Sequence, residues 1–502
     1  MNIFRTILQG MLKKPADAAN AGQSDMAYEP ENVPGVKPTL VHTLYEFQDC
    51  MDLTHRAYPE IGVDVLYFGH LVDNHQLAQD VLNPILHIRA DEVHMLLRQT
   101  QFWPAADSKE LIEGILSGQV AIFNGADTYL VNVSGPKERQ VSTSESETVI
   151  TGPHDAFNEQ AGACLSLIRK RVKSSHLKVI KLSVGEVTKT DVYILYIQDI
   201  ANMLYVREAI RRITNIEIDA VHDSNMLIQY IDDNPMSIFP QFLTSERPDA
   251  IASKLAAGRV VGIVDGSPSV FSAPTSFFEF FSSSDDYYQR WMLGTATRLL
   301  RFLAFGITIT FTALYVSVTT YHYEMIPENL LLTIAESRSK VPFPPVYEAL
   351  LMETTIELLR EAGARLPTKI GQTIGIVGGI VIGQAAVQAG LTSNILIIAV
   401  ASSAIASFVI PSYVMSASIR LIRFGLILLA GLWGNFGLAI ALAAIVIHMS
   451  GLTSLGSSYL TPVAPFKLED WRDIFIRAPF GLLVKRPTQA APPNKVKNKM
   501  RR

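Results

Sequence analysis

Hydrophobic residues follow two different patterns along the chain. In the first half, short β-prone runs such as Asp64–Phe68 alternate with stretches of helical periodicity, which is typical of an α/β fold. From about residue 302, long uncharged runs replace them: Phe302–Thr320 has 19 residues and Ile370–Ile419 has 50. Runs of this length are enough to cross a lipid bilayer. The pattern therefore predicts a soluble α/β N-terminal half followed by an α-helical polytopic membrane domain.

The α/β half contains two similar units. Leu111–Val133 resembles Ile251–Pro274: in each, a helix ends at a small residue and a glycine, and an Asn-Gly or Asp-Gly pair then separates two apolar runs. These residues are typical of helix ends and β-hairpins, so we predict two similar subdomains. The predicted organisation is a flexible N-terminal segment (1–38), a first α/β subdomain (39–150), a second α/β subdomain (151–285), a membrane domain with about four to six membrane segments (286–466) and a basic cytoplasmic tail (467–502).

The distribution of charge separates the two halves as well. The 502 residues include 43 Lys+Arg and 47 Asp+Glu, but only 14 of these charges lie between residues 302 and 466. The net charge of −4 provides no basic surface for nucleic acid, and two cysteines are too few for a disulfide framework. No catalytic or metal-binding constellation stands out, so we expect neither an enzyme nor a cofactor. The basic run Arg169–Lys173 is interpreted as a solvated helix face.

Two membrane topologies are compatible with the uncharged runs. The predicted spans are 302–320, 370–389 and 395–416, followed by the glycine-interrupted segment 424–449. If Val346–Leu359 lies on the membrane surface, Arg420 and Arg423 face outside, against the positive-inside rule. If it crosses, both arginines face the cytoplasm and 424–449 forms a re-entrant pair. The rule favours the second topology, with the α/β half and the tail both cytoplasmic.

Three carboxylates share one face of the predicted helix after Pro345. Glu353, Glu357 and Glu361 recur every four residues, and Arg360 offsets only part of their mutual repulsion. One interpretation is an exposed helix on which water screens the charges. The other places Glu353, Glu357 and Arg360 at the membrane boundary or in the vestibule of a pore, where ionisable groups are usually functional.

A second helix face has the pattern expected of a pore lining. The face is polar at both ends and apolar in its middle, and its residues are Thr373, Val377, Ile380, Gln384 and Gln388. Polar rings that flank an apolar constriction suit a gate that closes by dewetting. The alternative is a packed span in which the glutamine side chains are hydrogen-bonded to neighbouring helices.

Several segments in consistent order resemble the GerA family of spore germination proteins. The strongest are PFPPVYEALLME at 342–353, ELLREAG at 357–363 and IGQTIGIVGGIVIGQAAVQAG at 370–390, supported by ERPD at 246–249, TYHYEMIP at 320–327 and YLTPVAPF at 459–466. The likeness covers residues 60–485. It departs at Gly152–Phe157, where the family pattern has a basic residue and Glu in place of His154 and Asp155.

The resemblance implies a germinant receptor A subunit in the spore inner membrane. It implies a non-enzymatic, oligomeric channel for monovalent cations, with a permease-like B subunit and a lipoprotein C subunit as partners and lipid around it. A sporulation-operon paralogue of the same family is also compatible with these segments. From the residues alone, a non-conducting membrane scaffold or sensor stays open beside the channel. A secondary transporter is weaker because no inverted membrane repeat is visible.

Overall fold

A computed structural model describes residues 37–135, 147, 151–366, 379 and 381–497. The first subdomain is a five-stranded antiparallel sheet with helices on its faces. Its elements are α1 (Leu40–Glu46), β1 (Leu53–Tyr58), β2 (Val63–Phe68), α2 (Asn74–Gln76), a π-helical stretch (Leu77–Leu82), α3 (Asn83–His87), α4 (Val93–Leu96), β3 (Phe102–Pro104), α5 (Ser108–Leu116), β4 (Gln119–Asn124) and β5 (Asp127–Asn132).

The second subdomain has a sheet of the same size. Its elements are α6 (Ala161–Arg171), β6 (Leu177–Val184), β7 (Thr190–Ile197), α7 (Met203–Thr214), α8 (Ser224–Ile231), β8 (Leu243–Ser245), α9 (Pro248–Ala256), β9 (Val260–Val264) and β10 (Val270–Ala273), with short 3-10 turns at Gln198–Ile200 and Phe277–Phe281.

The two sheets have the same topology. The strand orders are β1-β2-β4-β5-β3 and β6-β7-β9-β10-β8, so each strand has a counterpart five positions later. Gly118 and Gly258 occupy equivalent positions after α5 and α9, with φ of 88° and 91°, a left-handed conformation that favours glycine. Alternate strand residues point into separate apolar cores on the two faces of each sheet. The prediction of two similar α/β subdomains is confirmed.

A buried ion pair connects the two subdomains. Arg169 of α6 donates to Asp52 at 2.8 Å, and its guanidinium stacks 4.4 Å from the centre of the Phe68 ring. Both charged side chains are almost completely buried. The interpretation of Arg169–Lys173 as a solvated helix face is therefore wrong for Arg169. Its acidic partner lies more than a hundred residues earlier, so the local basic pattern could not reveal it.

The second half of the chain is a bundle of long helices. Its elements are α10 (Asp285–Tyr288), α11 (Trp291–Tyr321), a 3-10 turn (Tyr323–Met325), α12 (Glu328–Arg338), α13 (Pro345–Arg365), a helix at 381–388, α14 (Asn394–Phe408) and α15 (Tyr413–Gly451), followed by β11 (Thr453–Ser454), β12 (Ser457–Ser458), α16 (Leu468–Ile474) and 3-10 turns at Phe480–Leu482 and Thr488–Ala490. Among the described residues, α11 and α15 are long and apolar enough to cross a membrane.

The bundle has a near end beside the α/β half and a far end opposite it. At the near end, Arg301 of α11 donates to the Phe281 carbonyl at 3.2 Å. At the far end, the Tyr321 hydroxyl donates to the Gly431 carbonyl at 3.0 Å. α13 and α14 run antiparallel to α11, because Glu353 meets Thr312 and residues earlier in both helices lie toward the far end.

α15 folds back on itself at Gly434. This residue has φ of 60° and ψ of −141°, which interrupts the helix. Ser418, before the break, donates to the Ile238 carbonyl, and His448, after it, is hydrogen-bonded to Ser237. In a straight helix, Ser418 and His448 would lie about 45 Å apart. Both arms therefore return to the near end, and the re-entrant pair of the predicted topology stays a prediction.

The structure corrects one predicted span. The sequence predicts a single span over 395–416, but α14 ends at Phe408 and α15 begins at Tyr413. Pro411 has no backbone N–H and disfavours helical geometry in the residue before it. Ser412 then starts α15 by accepting a hydrogen bond from the Met415 N–H. Hydropathy alone does not show this break because the residues on both sides are apolar.

Candidate functional site: ion pairs inside the helical bundle

The interior of the bundle contains a salt bridge between Glu353 of α13 and Arg423 of α15. Their closest oxygen and nitrogen atoms are 2.5 Å apart, and neither side chain has any exposed surface. Thr312 of α11 donates to the other carboxylate oxygen of Glu353 at 2.9 Å. Arg423 also donates to Ser403 Oγ of α14 at 2.7 Å. The salt bridge and its two hydrogen bonds thus join four helices at one level.

This level lies near the middle of the bundle. Along α11, Thr312 is about 21 Å from Arg298 at the near end and about 14 Å from Tyr321 at the far end. Burial of two charges is costly unless they are paired and hydrogen-bonded. Ionisable residues at such a depth in helices of membrane-crossing length are usually functional. The Glu353–Arg423 pair is therefore the leading candidate for a functional group in the bundle.

Glu357, one turn closer to the near end, is shared by three arginines. Its carboxylate oxygens lie 3.3 Å from guanidinium nitrogens of Arg360, Arg420 and Arg423. Arg360 also donates to Ser407 Oγ at 3.1 Å. Together with the salt bridge above, the network has two carboxylates and three guanidinium groups. It therefore has one positive charge in excess.

The three carboxylates predicted to share a helix face differ in environment. Glu353 is fully buried and Glu357 is 26% exposed, whereas Glu361 is 60% exposed and pairs with Arg365. The interpretation as a water-exposed helix applies to Glu361 and is wrong for Glu353. The assignment of Glu353, Glu357 and Arg360 to a pore vestibule or membrane boundary stays a prediction.

The predicted pore face lies only partly within the described residues. Thr373, Val377 and Ile380 lie outside them. Gln384 and Gln388 belong to the helix at 381–388, and both side chains are exposed on the outside of the single chain. The packed alternative, with the glutamines hydrogen-bonded to neighbouring helices, stays open beside the pore. The assignment of the whole face to a pore stays a prediction.

Sequence reasoning missed the role of Arg420 and Arg423. Both were used only to orient the chain in the membrane, although two arginines three residues apart in an otherwise uncharged run are themselves a signal of buried acidic partners. Within the ranges that the structure describes, no group of three or more His, Cys, Asp or Glu side chains could hold a metal ion.

A second ionic cluster lies where the α/β half meets the bundle. The Asp286 carboxylate is 3.1 Å from Arg298 and 2.8 Å from Arg301 of α11. Arg298 also faces Asp473 of α16 at 3.8 Å, and the Tyr287 hydroxyl donates to Asp473 at 2.8 Å. Burial raises the pKa of Tyr287. The cluster therefore holds α10 and α16 against the near end of α11.

Comparison with known proteins decides the family. The family model described as Bacillus/Clostridium GerA spore germination protein matches residues 42–489. The chain belongs to the GerA family. Spore germination protein GerQA of Bacillus cereus is 42% identical over 464 residues, which covers 89% of this chain and 92% of that protein. The uncharacterized membrane protein YfkQ of Bacillus subtilis (strain 168) is 35% identical over 467 residues, with coverage of 90% and 91%.

One solved structure is also similar to this GerA-family chain. It is the crystal structure of the N-terminal domain of the A subunit of the Bacillus megaterium spore germinant receptor GerK3. The sequence identity is 25% and the TM-score is 0.38, over 49% of this chain and 98% of that one.

Two of the segments that carry the GerA resemblance contain buried ion pairs. Residues 342–353 open α13 and reach Glu353. In the segment 246–249, Arg247 and Asp249 form a buried ion pair of 2.7 Å, and Tyr288 donates to Asp249 at 2.6 Å. Burial and this hydrogen bond raise the pKa of Tyr288 to about 12. These two segments therefore lie in the interior of the bundle and at its junction with the α/β half.

Proposed function

We propose that this GerA-family chain is the A subunit of a nutrient germinant receptor in the spore inner membrane. In this proposal it forms an oligomeric, ligand-gated cation channel whose opening triggers germination. A role in spore germination is supported by the family and by its relatives. The proposed partners are a permease-like B subunit and a lipoprotein C subunit, and the chain itself has no enzymatic activity.

The proposed topology is multi-pass, with the α/β half and the C-terminal tail on the cytoplasmic or core side. Support comes from the length of α11 and α15 and from the return of both arms of α15 to the near end. The C-terminal segment also lies on the α/β half, because Arg486 donates to the Ala256 carbonyl at 3.0 Å. An even number of crossings satisfies both observations.

The exposure of Gln384 carries the proposal of an oligomeric pore. Its amide lies about 9 Å along the chain from the turn at Gly390, inside the predicted membrane layer. A polar amide that faces hydrocarbon is costly, so it requires a second copy of the chain or a water-filled path. Copies of the chain that surround a common axis provide a neighbouring chain and a water-filled path at the same time.

Substitutions at Ile380, in the apolar middle of the predicted pore face, test the proposal. Ile380→Ala should widen and wet the constriction, which produces cation leakage and germination without nutrient. Ile380→Trp should block flux while the protein still assembles. The measurement is cation release from spores, normalised to the amount of the protein in the membrane.

Matched controls are Ile398→Ala and Ile398→Trp, at an isoleucine of α14 that is 63% exposed. These variants should leave cation release at the wild-type level. Wild-type leakage from both Ile380 variants at normal abundance would remove Ile380 and this helix face from the pore. If both variants instead reduce protein abundance, the helix is a packed span, for which such changes cost about 1–5 kcal/mol.

A non-conducting scaffold or signal transducer is the second candidate. The observation in its favour is that the charges of α13 are paired inside the bundle, where they stabilise helix packing. The relative YfkQ, named only as an uncharacterized membrane protein, is compatible with a paralogue that has another role. A scaffold predicts normal assembly with receptor partners and no cation flux through the purified protein.

A further inference from the structure

A large cavity lies between the bundle and the second subdomain. Its volume is 2370 Å³, and its walls come from α9 and its surroundings on one side and from α13, α14, the helix at 381–388 and the start of α15 on the other. The cavity therefore opens at the level where the α/β half meets the membrane domain.

The bundle end of the cavity is positively charged. Arg360 and Arg420 line it, and the Glu357 carboxylate lies 3.3 Å from each of them. Glu357 is also within 3.3 Å of Arg423, so three guanidinium groups share it. This end of the cavity therefore has an excess positive charge.

The rest of the cavity wall is close to electrically balanced, with eight carboxylates and seven Lys or Arg side chains. Among them, Arg247 pairs with Asp249, and Glu279 is shared by Lys254 and Arg259. Burial lowers the pKa of Lys254, while Glu279 counteracts this effect. The excess positive charge is therefore local to the bundle end.

From Arg360 and Arg420 toward the far end of the bundle, the cavity continues as an apolar groove between helices. The groove is lined by side chains at helical spacing on two helices, namely Met352, Ile356 and Leu359 of α13 and Ile397, Val400 and Ala404 of α14. Ala401 lies beside them. A ligand that fills this space must have an anionic end next to an apolar chain.

The geometry points to a site for one anionic phospholipid, with its phosphate on the cavity side of Arg360 and Arg420 and an acyl chain in the groove between α13 and α14. Charge complementarity selects the headgroup, since basic pockets between membrane helices on the cytoplasmic side bind anionic lipids. The groove selects a lipid over a free anion. The inference rests on the proposed membrane placement and does not require that the protein conducts ions.

Lipid binding to the purified full-length protein in detergent tests the site. Phosphatidylglycerol and phosphatidylcholine with identical acyl chains are titrated separately, and bound lipid is counted by native mass spectrometry. Inorganic phosphate is a third ligand, because it has the same chemistry without the acyl chain. Phosphatidylglycerol should bind most tightly. Arg360→Gln and Arg420→Gln should each weaken its binding about tenfold or more, since each removes a charged hydrogen-bond donor.

The control is Arg365→Gln, which removes the same charge from the same helix at a side chain that is 78% exposed. This variant should bind phosphatidylglycerol like the wild type. Ala401→Phe leaves every charge in place and fills the groove, so it should also displace the lipid. If the arginine variants do not fold, the loss or retention of phosphatidylglycerol binding in Ala401→Phe tests the site.

Three results would overturn the site. Equal affinity for the two lipids would show that charge does not select the ligand. Phosphate binding as tight as phosphatidylglycerol binding would reduce the site to an anion site without an acyl groove. Equal weakening by Arg365→Gln and Arg360→Gln would show a diffuse attraction of lipid to basic residues.

Discussion

Removal of one partner from the Glu353–Arg423 salt bridge should destabilise the protein strongly. Both side chains are fully buried, and their closest atoms are 2.5 Å apart. Loss of one member of such a pair leaves an uncompensated charge in a dry interior, which costs about 3–5 kcal/mol. The pairing is also the contact that joins α13 to α15 at mid-depth, so the loss should reduce both stability and abundance in the membrane.

The two single variants should differ in magnitude. When Glu353 is replaced by Gln, Arg423 still lies 3.3 Å from Glu357 and keeps its hydrogen bond to Ser403. When Arg423 is replaced by Met, Glu353 retains only the hydrogen bond from Thr312 among its described partners. Arg423→Met should therefore be more destabilising than Glu353→Gln. The double variant should cost less than the sum of the two, with a coupling energy of about 1–3 kcal/mol.

The exposed pair Glu361–Arg365 on the same helix is the matched control. Its atoms approach to 2.6 Å, but its side chains are 60% and 78% exposed. An exposed pair contributes about 0–1 kcal/mol, so Glu361→Gln and Arg365→Gln should be nearly neutral. The assay is thermal unfolding of each purified variant in detergent, together with its abundance in membranes. If Arg423→Met costs no more than Arg365→Gln, the argument from burial is wrong.

Two further predictions concern the backbone and pH. Gly434→Ala should destabilise the protein by about 1–3 kcal/mol in thermal unfolding, because its φ is 60° and an added Cβ would lie 2.9 Å from the His322 ring. The control is Gly425→Ala, where the space around the Cβ is open, and it should leave the unfolding temperature unchanged. Burial, and to a smaller extent the nearby Asp233 carboxylate, raises the pKa of Asp232 from 3.8 to about 7. The protonated form of Asp232 therefore stabilises the fold at low pH, and this stabilisation is lost as the pH rises through 7. Asp232→Asn should raise the unfolding temperature at pH 8 and leave it unchanged near pH 4; an equal change at both pH values would contradict the assignment.

The α/β half could be predicted from its sequence because the signals are local. Asn124-Gly125 and Asp265-Gly266 connect β4 to β5 and β9 to β10, as the residue types require. The first strand of the first subdomain was not predicted because Leu53–Tyr58 is an edge strand in which no residue is fully buried, so it lacks a buried apolar pattern. An alternating apolar pattern thus predicts the central strands of the sheet but not this edge strand.

The contacts of the candidate site could not be predicted in the same way. Glu353 and Arg423 lie 70 residues apart, and no local pattern relates a carboxylate on one helix to a guanidinium on another. The spacing of Glu353, Glu357 and Glu361 correctly placed them on one face but did not show which of them is buried. Only tertiary packing distinguishes Glu353 in the interior from Glu361 at the surface.

Cation flux through the purified full-length protein in liposomes tests the central claim most directly. The protein is reconstituted with the proposed B and C subunits, the number of copies in each assembly is counted, and cation release is followed before and after nutrient is added. The account predicts a homo-oligomer that releases monovalent cations when nutrient is present and releases them without nutrient in the Ile380→Ala variant. An assembled receptor with no flux in either case would contradict the channel and favour a non-conducting scaffold.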